Sequence, residues 1–323
     1  MINEAWWRGR RVTVTGAAGF VGAHLMKRLI ELGANVMGVD LVASSPPLRA
    51  LGVEAKIAQR DLATTQDLPT EREVVFHLAG ASHILASQEF PQVAWRGNVQ
   101  ATWNVLEWAR GAMGGKDASL LAVVVASSNH VYGSSSSPVD ESSPTHASDA
   151  YGTSKIMVDA LVRCYGTSLG LPVCSLRHVN AYGEADPHES HLVTGAICAL
   201  IRGEIPTLRG NGQAAKGYLY IADVVNAYLL LAERCAAGYA QGEPINAGTT
   251  PVASRAMVGA IMELFGRSGP PLVEHTDHSQ DTYYEWLDDT RLRRWGWNQT
   301  PPEEGLRATL EWYTQKGGMA WLG

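Results

Sequence analysis

Three side chains in the middle of the sequence could do chemistry together. Tyr151 and Lys155 stand four residues apart in DAYGTSK, and Ser128 ends the stretch AVVVASS that precedes them. If a helix opens at Tyr151, the i,i+4 spacing puts phenol and ammonium on one face. A positive charge there favours the phenolate and brings the tyrosine pKa down toward neutrality. A serine hydroxyl can hold a substrate hydroxyl while the tyrosine takes its proton, which suits proton transfer coupled to hydride transfer. Asn129 and His130 follow the serine. An amide donates no catalytic proton, whereas a histidine can act as acid or base near neutral pH.

Such a group needs a scaffold. Val123, Val124 and Val125 read as a buried parallel strand that carries Ser128 at its end. Near the N-terminus, the strand RVTVT leads into Gly16-Ala17-Ala18-Gly19-Phe20-Val21-Gly22 and then the helical pattern HLMKRLIELG. Gly16 permits the tight turn, Gly19 lets backbone approach a pyrophosphate, and Gly22 lets the helix pack closely. The helix N-terminus that follows offers unpaired N–H groups to phosphates, and Phe20 and Val21 are expected to touch the cofactor with the glycines. The next strand, NVMGVD, ends in Asp40, placed to bind the ribose diol of an adenine dinucleotide. A carboxylate there repels the extra phosphate of NADP, so NAD is the expected cofactor. Further strands are expected at IAQRDL, VVFHLAG, LPVCSLR and PINAG. His77 in the second of these reads as a packed or hydrogen-bonded group. The expected fold is α/β, a Rossmann-type doubly wound parallel sheet.

Ser128…Tyr151-x-x-x-Lys155, taken with TGAAGFVG, resembles the extended short-chain dehydrogenase/reductase superfamily. Within it, the NAD-dependent nucleotide-sugar epimerases and dehydratases are most similar, over nearly the whole chain. The resemblance implies an NAD-binding domain mainly over 1–180 and a smaller C-terminal substrate-binding domain mainly over 181–323. Segments near 218–249 would return to the first. It also implies that Asp61 with Leu62 meets the adenine, although Asp61 reads equally as a turn aspartate. Leu78, Ala79 and Gly80 would run along the cofactor, and Asn98 would brace the site. Lys155 would hold the nicotinamide ribose. Asn129 and Asn180 would touch substrate. Lys216 stands where the family has an arginine on the nucleotide diphosphate, and His278 lies near a second such place. Arg209 and Arg255 are the cations left to compensate. Asp223 would cap the helix after YLYI. The helices near Asn98 and from Tyr151 build a four-helix homodimer contact in the superfamily. Val99, Trp103, Leu106, Met157 and Leu161 could supply it here, or could be core.

The expected reaction is a nucleotide-sugar 4-epimerisation by transient C4 oxidation. The family's 4,6-dehydratases carry an acid directly after the serine or threonine and then Glu or Lys, where this chain has Asn129 and His130. A dehydratase with His130 in an unusual role, a 4-ketoreductase and a non-catalytic NAD-binding module are the alternatives. The Ser/Pro-rich run from Ser134 to Asp149 reads as a loop over the site.

Composition narrows the rest. The chain has 323 residues and a net charge of −6, against a nucleic-acid or anionic-membrane surface. Cys164, Cys174, Cys198 and Cys235 form no CxxC or zinc spacing and read as reduced, buried thiols. With no signal-peptide pattern and no bilayer-length apolar run, a cytoplasmic protein is expected. His188, Glu189 and His191 read as a polar loop, so no metal is expected. Trp286, Trp295, Trp297 and Trp312 read as packing groups.

Overall fold

The computed structural model describes residues 1–66, 68, 72–82, 84–113, 119–274 and 284–315. Six strands form in order: β1 (Arg11–Thr15), β2 (Asn35–Asp40), β3 (Ile57–Gln59), β4 (Val74–His77), β5 (Ala122–Ala126) and β6 (Val173–His178). After them come β7 (Asn180–Tyr182), β8 (Thr207–Arg209), β9 (Ala215–Lys216), β10 (Tyr218–Tyr220), β11 (Pro244–Ala247), β12 (Val252–Ala253) and β13 (Leu272–Glu274). Seven of them make one sheet in the order β11-β6-β5-β4-β1-β2-β3, with every pair parallel.

The apolar runs explain this sheet. Both faces of its middle are covered, so β1, β4 and β5 are almost wholly buried and read as continuous Val-rich segments. Alternation still sorts the side chains. Val74, Phe76 and Val124 face a core with Leu25, Leu29 and Tyr228, from the helices Phe20–Glu31 and Ile221–Ala236. Val75, Val123 and Val125 face a second core with Val105, Leu106, Val158 and Val162, from the helices Ala101–Met113 and Ala150–Arg163. The chain runs outward from β1 to β3, then crosses back to β4 on the other side. A crevice opens at that reversal, beyond the carboxyl ends of β1 and β4.

Beyond β6 the strands are short and pair two by two: β7 with β10, β8 with β13, and β9 with β12. The helices Leu192–Ile201, Ser254–Leu264 and Pro302–Gln315 enclose a third core around Ile197, Leu208, Val258 and Leu310. β11 leaves this region to pair with β6. The segment from Tyr284 to Leu287 forms single bridges to Ala215 and Val139. Through these bridges it lies against the Ser-rich loop.

Three expectations need correction. Asp223 does not cap its helix: Tyr220 is the cap residue, and the Asp223 carboxylate accepts hydrogen bonds from Thr300 N and Oγ1, each at 2.9 Å. Cys164 is exposed, because it lies past the buried face of the Tyr151 helix, while the other three thiols are buried. Trp297 is core and Trp295 and Trp312 pack against the cores as expected, but Trp286 is only partly covered and joins none of them. Among the described residues, no helix is long and apolar enough to cross a membrane.

Candidate active site

β5 ends at Ala126, and two residues on Ser128 opens a tight helical turn, Asn129–Tyr132. Its Oγ accepts from His130 N at 3.2 Å, which fixes the hydroxyl at the strand end. The Tyr151 helix begins after Asp149, whose Oδ1 accepts from Gly152 N at 2.8 Å. Gly152 is required there: a Cβ on it would stand 2.9 Å from the His130 carbonyl oxygen and 2.6 Å from Ala147 Cβ. The helix start thus lies directly against the Ser128 turn. Ser128 stands close enough to Tyr151 for its hydroxyl to pull the phenol's pKa down.

Lys155 lies one turn on, 7% exposed, with its Nζ 5.8 Å from the Tyr151 ring centroid. Its Nζ donates to the Ala126 carbonyl at 2.9 Å. Burial pulls the ammonium down to about 8, against the pull of nearby Asp159. Tyr151 departs from expectation. Burial raises its pKa, the Ser128 hydroxyl opposes this, and the charges of Asp149 and Glu285 push it further up. The spacing argument weighed the lysine and could not see the desolvation.

Further groups brace this centre. Asn98 lies in a π-helical turn, Trp95–Gln100. Its Oδ1 accepts from Ala81 N at 2.9 Å and its Nδ2 donates to Ser154 Oγ at 2.8 Å, joining the loop after β4 to the Tyr151 helix. Asp159 on the same helix accepts from Ser175 Oγ at 2.6 Å and from buried Arg177 Nε at 2.8 Å. His77 sits between Thr15 Oγ1 and Thr102 Oγ1, at 2.8 and 3.1 Å, with burial lowering its pKa to about 3. It stays neutral and structural.

At the crevice, Gly16 takes φ +68° and a Cβ on it would come within 2.6 Å of Ala79 N. A Cβ on Gly22 would overlap the Gly16 carbonyl, whereas one on Gly19 would meet only that oxygen, at 3.2 Å. The loop therefore presents bare backbone at Gly19, followed by the helix opening at Phe20 and Val21. Asp40 Oδ2 accepts from Ala18 N at 2.9 Å, so the carboxylate stands beside the loop. Leu78 N donates to the Thr15 carbonyl at 3.1 Å and Ala79 N to Thr15 Oγ1 at 3.2 Å, which aligns Leu78–Gly80 along the same edge. Asp61 holds its own turn through Ala63 N at 3.0 Å, and Leu62 is buried. A bare-backbone loop, a helix N-terminus and a carboxylate fit a pyrophosphate with its ribose.

The substrate candidates divide. Asn180 Nδ2 donates to Glu285 Oε2 at 2.8 Å, and Lys216 Nζ lies 4.0 Å from Glu285 Oε1. His130 Nε2 lies 3.6 Å from the same Oε1, with its ring edge-on to Tyr151 at 5.6 Å between centroids. Asn129 is buried, with its Oδ1 3.4 Å from Ser128 Oγ. Arg209 is exposed on β8, and no described contact joins it to this group. His278 lies outside the described residues. Among the described residues, no cluster of His, Cys, Asp or Glu is placed to hold a metal.

Glu285 is the residue that the sequence reading missed. A single acid between aromatic neighbours, in YYEWL, was its one signal: charged residues are seldom buried unless they have a task.

Comparisons with known proteins agree with this geometry. The chain is 27% identical to a trifunctional UDP-glucose 4,6-dehydratase/UDP-4-keto-6-deoxy-D-glucose 3,5-epimerase/UDP-4-keto-L-rhamnose-reductase of Arabidopsis thaliana, over 96% of this chain and 48% of that protein. It thus spans about half the length of that relative. A UDP-glucose 4-epimerase of Mycolicibacterium smegmatis is 30% identical, over 95% of this chain and 99% of its own. A dTDP-glucose 4,6-dehydratase from Streptomyces venezuelae, crystallised with NAD, superposes with a TM-score of 0.83 at 25% identity, covering 96% of this chain and 98% of that one. The family model for NAD dependent epimerases and dehydratases matches residues 12–248. That match runs from the first strand of the sheet to just past its last, glycine loop and Tyr151 helix included, and the chain belongs to the NAD dependent epimerase/dehydratase family.

Proposed function

We propose that the protein is a nucleotide-sugar 4-epimerase that takes the C4 carbinol to a ketone and back. One observation carries this reading: the Ser128 turn lies against the start of the Tyr151 helix, with Lys155 Nζ 5.8 Å from the same ring and, beside the serine, an amide, Asn129, that adds no acid of its own. NAD, when bound, supplies the acceptor and donor of the C4 hydride. Tyr151 takes the C4 hydroxyl proton and later returns it. Ser128 hydrogen-bonds the same oxygen in both states. Tyr151 must be a phenolate before it can take that proton; Lys155 stabilises this phenolate, which is restored when the proton is returned, and the dry surroundings strengthen that attraction. Asp40 faces the adenosine ribose and disfavours a phosphate there. Asn180 and Lys216 face the substrate. The glycine loop and the Tyr151 helix form the cofactor part of the chain, mainly 1–180, and the third core forms the substrate part. The substrate class is supported by relatives that act on UDP- and dTDP-hexoses.

A second reading, a 4,6-dehydratase, is favoured by His130 lying 3.6 Å from Glu285, since that reaction needs an acid–base group besides the tyrosine. Proton NMR in deuterium oxide, with UDP- and dTDP-hexoses, separates the two. The 4-epimer without deuterium at C5 is expected. A 6-deoxy-4-keto product carrying deuterium at C5 establishes the second reading instead, and no turnover of any sugar overturns both. The chain is also proposed to work as a homodimer through the exposed apolar side chains Phe90, Val93, Trp103 and Met157.

A further inference from the structure

Glu285 is a charged side chain in a place that charges avoid. Its carboxylate is 1% exposed, and Asn180 occupies only Oε2. Oε1 is buried and accepts no hydrogen bond among the described residues. Among the described residues, two basic side chains, His130 at 3.6 Å and Lys216 at 4.0 Å, lie near it but beyond hydrogen-bonding distance. A buried acceptor left without a donor loses its hydration and gets nothing in return. Native proteins keep few such atoms, and those they keep usually serve a ligand or a mechanism.

The surroundings say what ligand group would fill the gap. His130 lies edge-on to Tyr151, and the Glu285 charge reaches the Tyr151 phenol. Tyr218 on β10 also feels it. Oε1 therefore lies one side chain, His130, from the Tyr151 ring, close to where a sugar must present its carbinol to Tyr151 and Ser128. A hydroxyl or ammonium on that sugar would give Oε1 its missing donor. A carboxylate would meet a like charge there, and Lys216, near enough to offset it, is already drawn to Glu285.

We propose that Glu285 is the specificity-determining residue of the sugar pocket, accepting a hydrogen bond from a sugar hydroxyl or ammonium group and excluding uronic acid sugars. This rests on the nucleotide-sugar reading above, and not on whether the reaction is epimerisation or dehydration. A pocket group that must be satisfied by a substrate donor discriminates strongly against a ligand that lacks it.

Calorimetric titration of the NAD-loaded protein tests this without turnover, using UDP, UDP-glucose and UDP-glucuronic acid. The wild type is expected to bind UDP-glucose at least about 30-fold more tightly than UDP-glucuronic acid, within the range of one lost or mismatched polar contact. In Glu285→Gln the gap should shrink to about threefold or less, chiefly through tighter binding of the glucuronic acid. Glu285→Asp keeps the charge and should keep the preference while weakening both sugars. Equal binding of the two sugars by the wild type overturns the inference, as does an unchanged gap in Glu285→Gln. If UDP and both sugars all fail to bind, the nucleotide-sugar reading falls, and this inference with it.

Discussion

Tyr151 and Lys155 pull against their own burial, and the consequences can be measured. Replacing Tyr151 with Phe removes the only proton acceptor assigned to the C4 hydroxyl. Initial rates on whichever sugar turns over should fall about 10³-fold, in the range of a lost acid–base group. NAD binding, followed by titration, should hold. Lys155 titrates at about 8 in the fold against an ordinary value of 10.5. Between those two values the unfolded chain binds more protons than the folded one, so stability rises with pH through that window. Below it, the full cost of the buried ammonium is present. That shift corresponds to about 3 kcal/mol, and the hydrogen bond to the Ala126 carbonyl returns about 1. Lys155→Met should therefore stabilise the protein by about 2 kcal/mol at pH 7 while destroying activity. Urea unfolding at pH 7 and pH 10 checks this, and the difference between variant and wild type should shrink at the higher pH.

At the scale of elements, the glycine loop shows how a motif is enforced by contact. Gly22 sits in the first turn of its helix, where alanine is ordinarily better by about 1 kcal/mol. Here a Cβ would run into the Gly16 carbonyl, so the loop has to move. Gly22→Ala should cost about 1–3 kcal/mol and weaken NAD at least tenfold, read by urea unfolding and by quenching of tryptophan fluorescence. Unaltered NAD affinity would remove the loop from the cofactor site. This element was legible in the sequence because everything in it is local: strand, turn, helix and the aspartate ending the next strand. The same holds for Tyr151 and Lys155, whose i,i+4 spacing suggests a shared face, whereas Ser128 joins them across a loop and was grouped with them through the family resemblance. The Glu285–Asn180 contact joins residues 105 apart, and no periodicity carries such a pairing. The raised pKa of Tyr151 was hidden for a related reason, since desolvation is set by all the elements packed around a group.

At the scale of the whole molecule, the all-parallel sheet buries both of its faces, and apolar surface is left over on the far side of the helices. Trp103 and Met157 are 45% and 44% exposed on neighbouring helices, unusual for side chains of that size. Trp103→Glu should turn a particle of twice the 34.8 kDa chain mass into one of the chain mass, by light scattering after size exclusion. A wild type that already runs as a single chain would refute the dimer. Of the expected face, Leu106 is core, so periodicity alone could not divide inner from outer apolar residues.

The place of Glu285 along the chain has a consequence in time. During synthesis the glycine loop, the sheet strands up to β6 and the Tyr151 helix all emerge before residue 285 does. A growing chain can thus assemble its dinucleotide cradle and its tyrosine while the pocket still lacks the carboxylate that chooses the sugar. With Glu285 in the role proposed for it, selectivity is the last property of the site to be made.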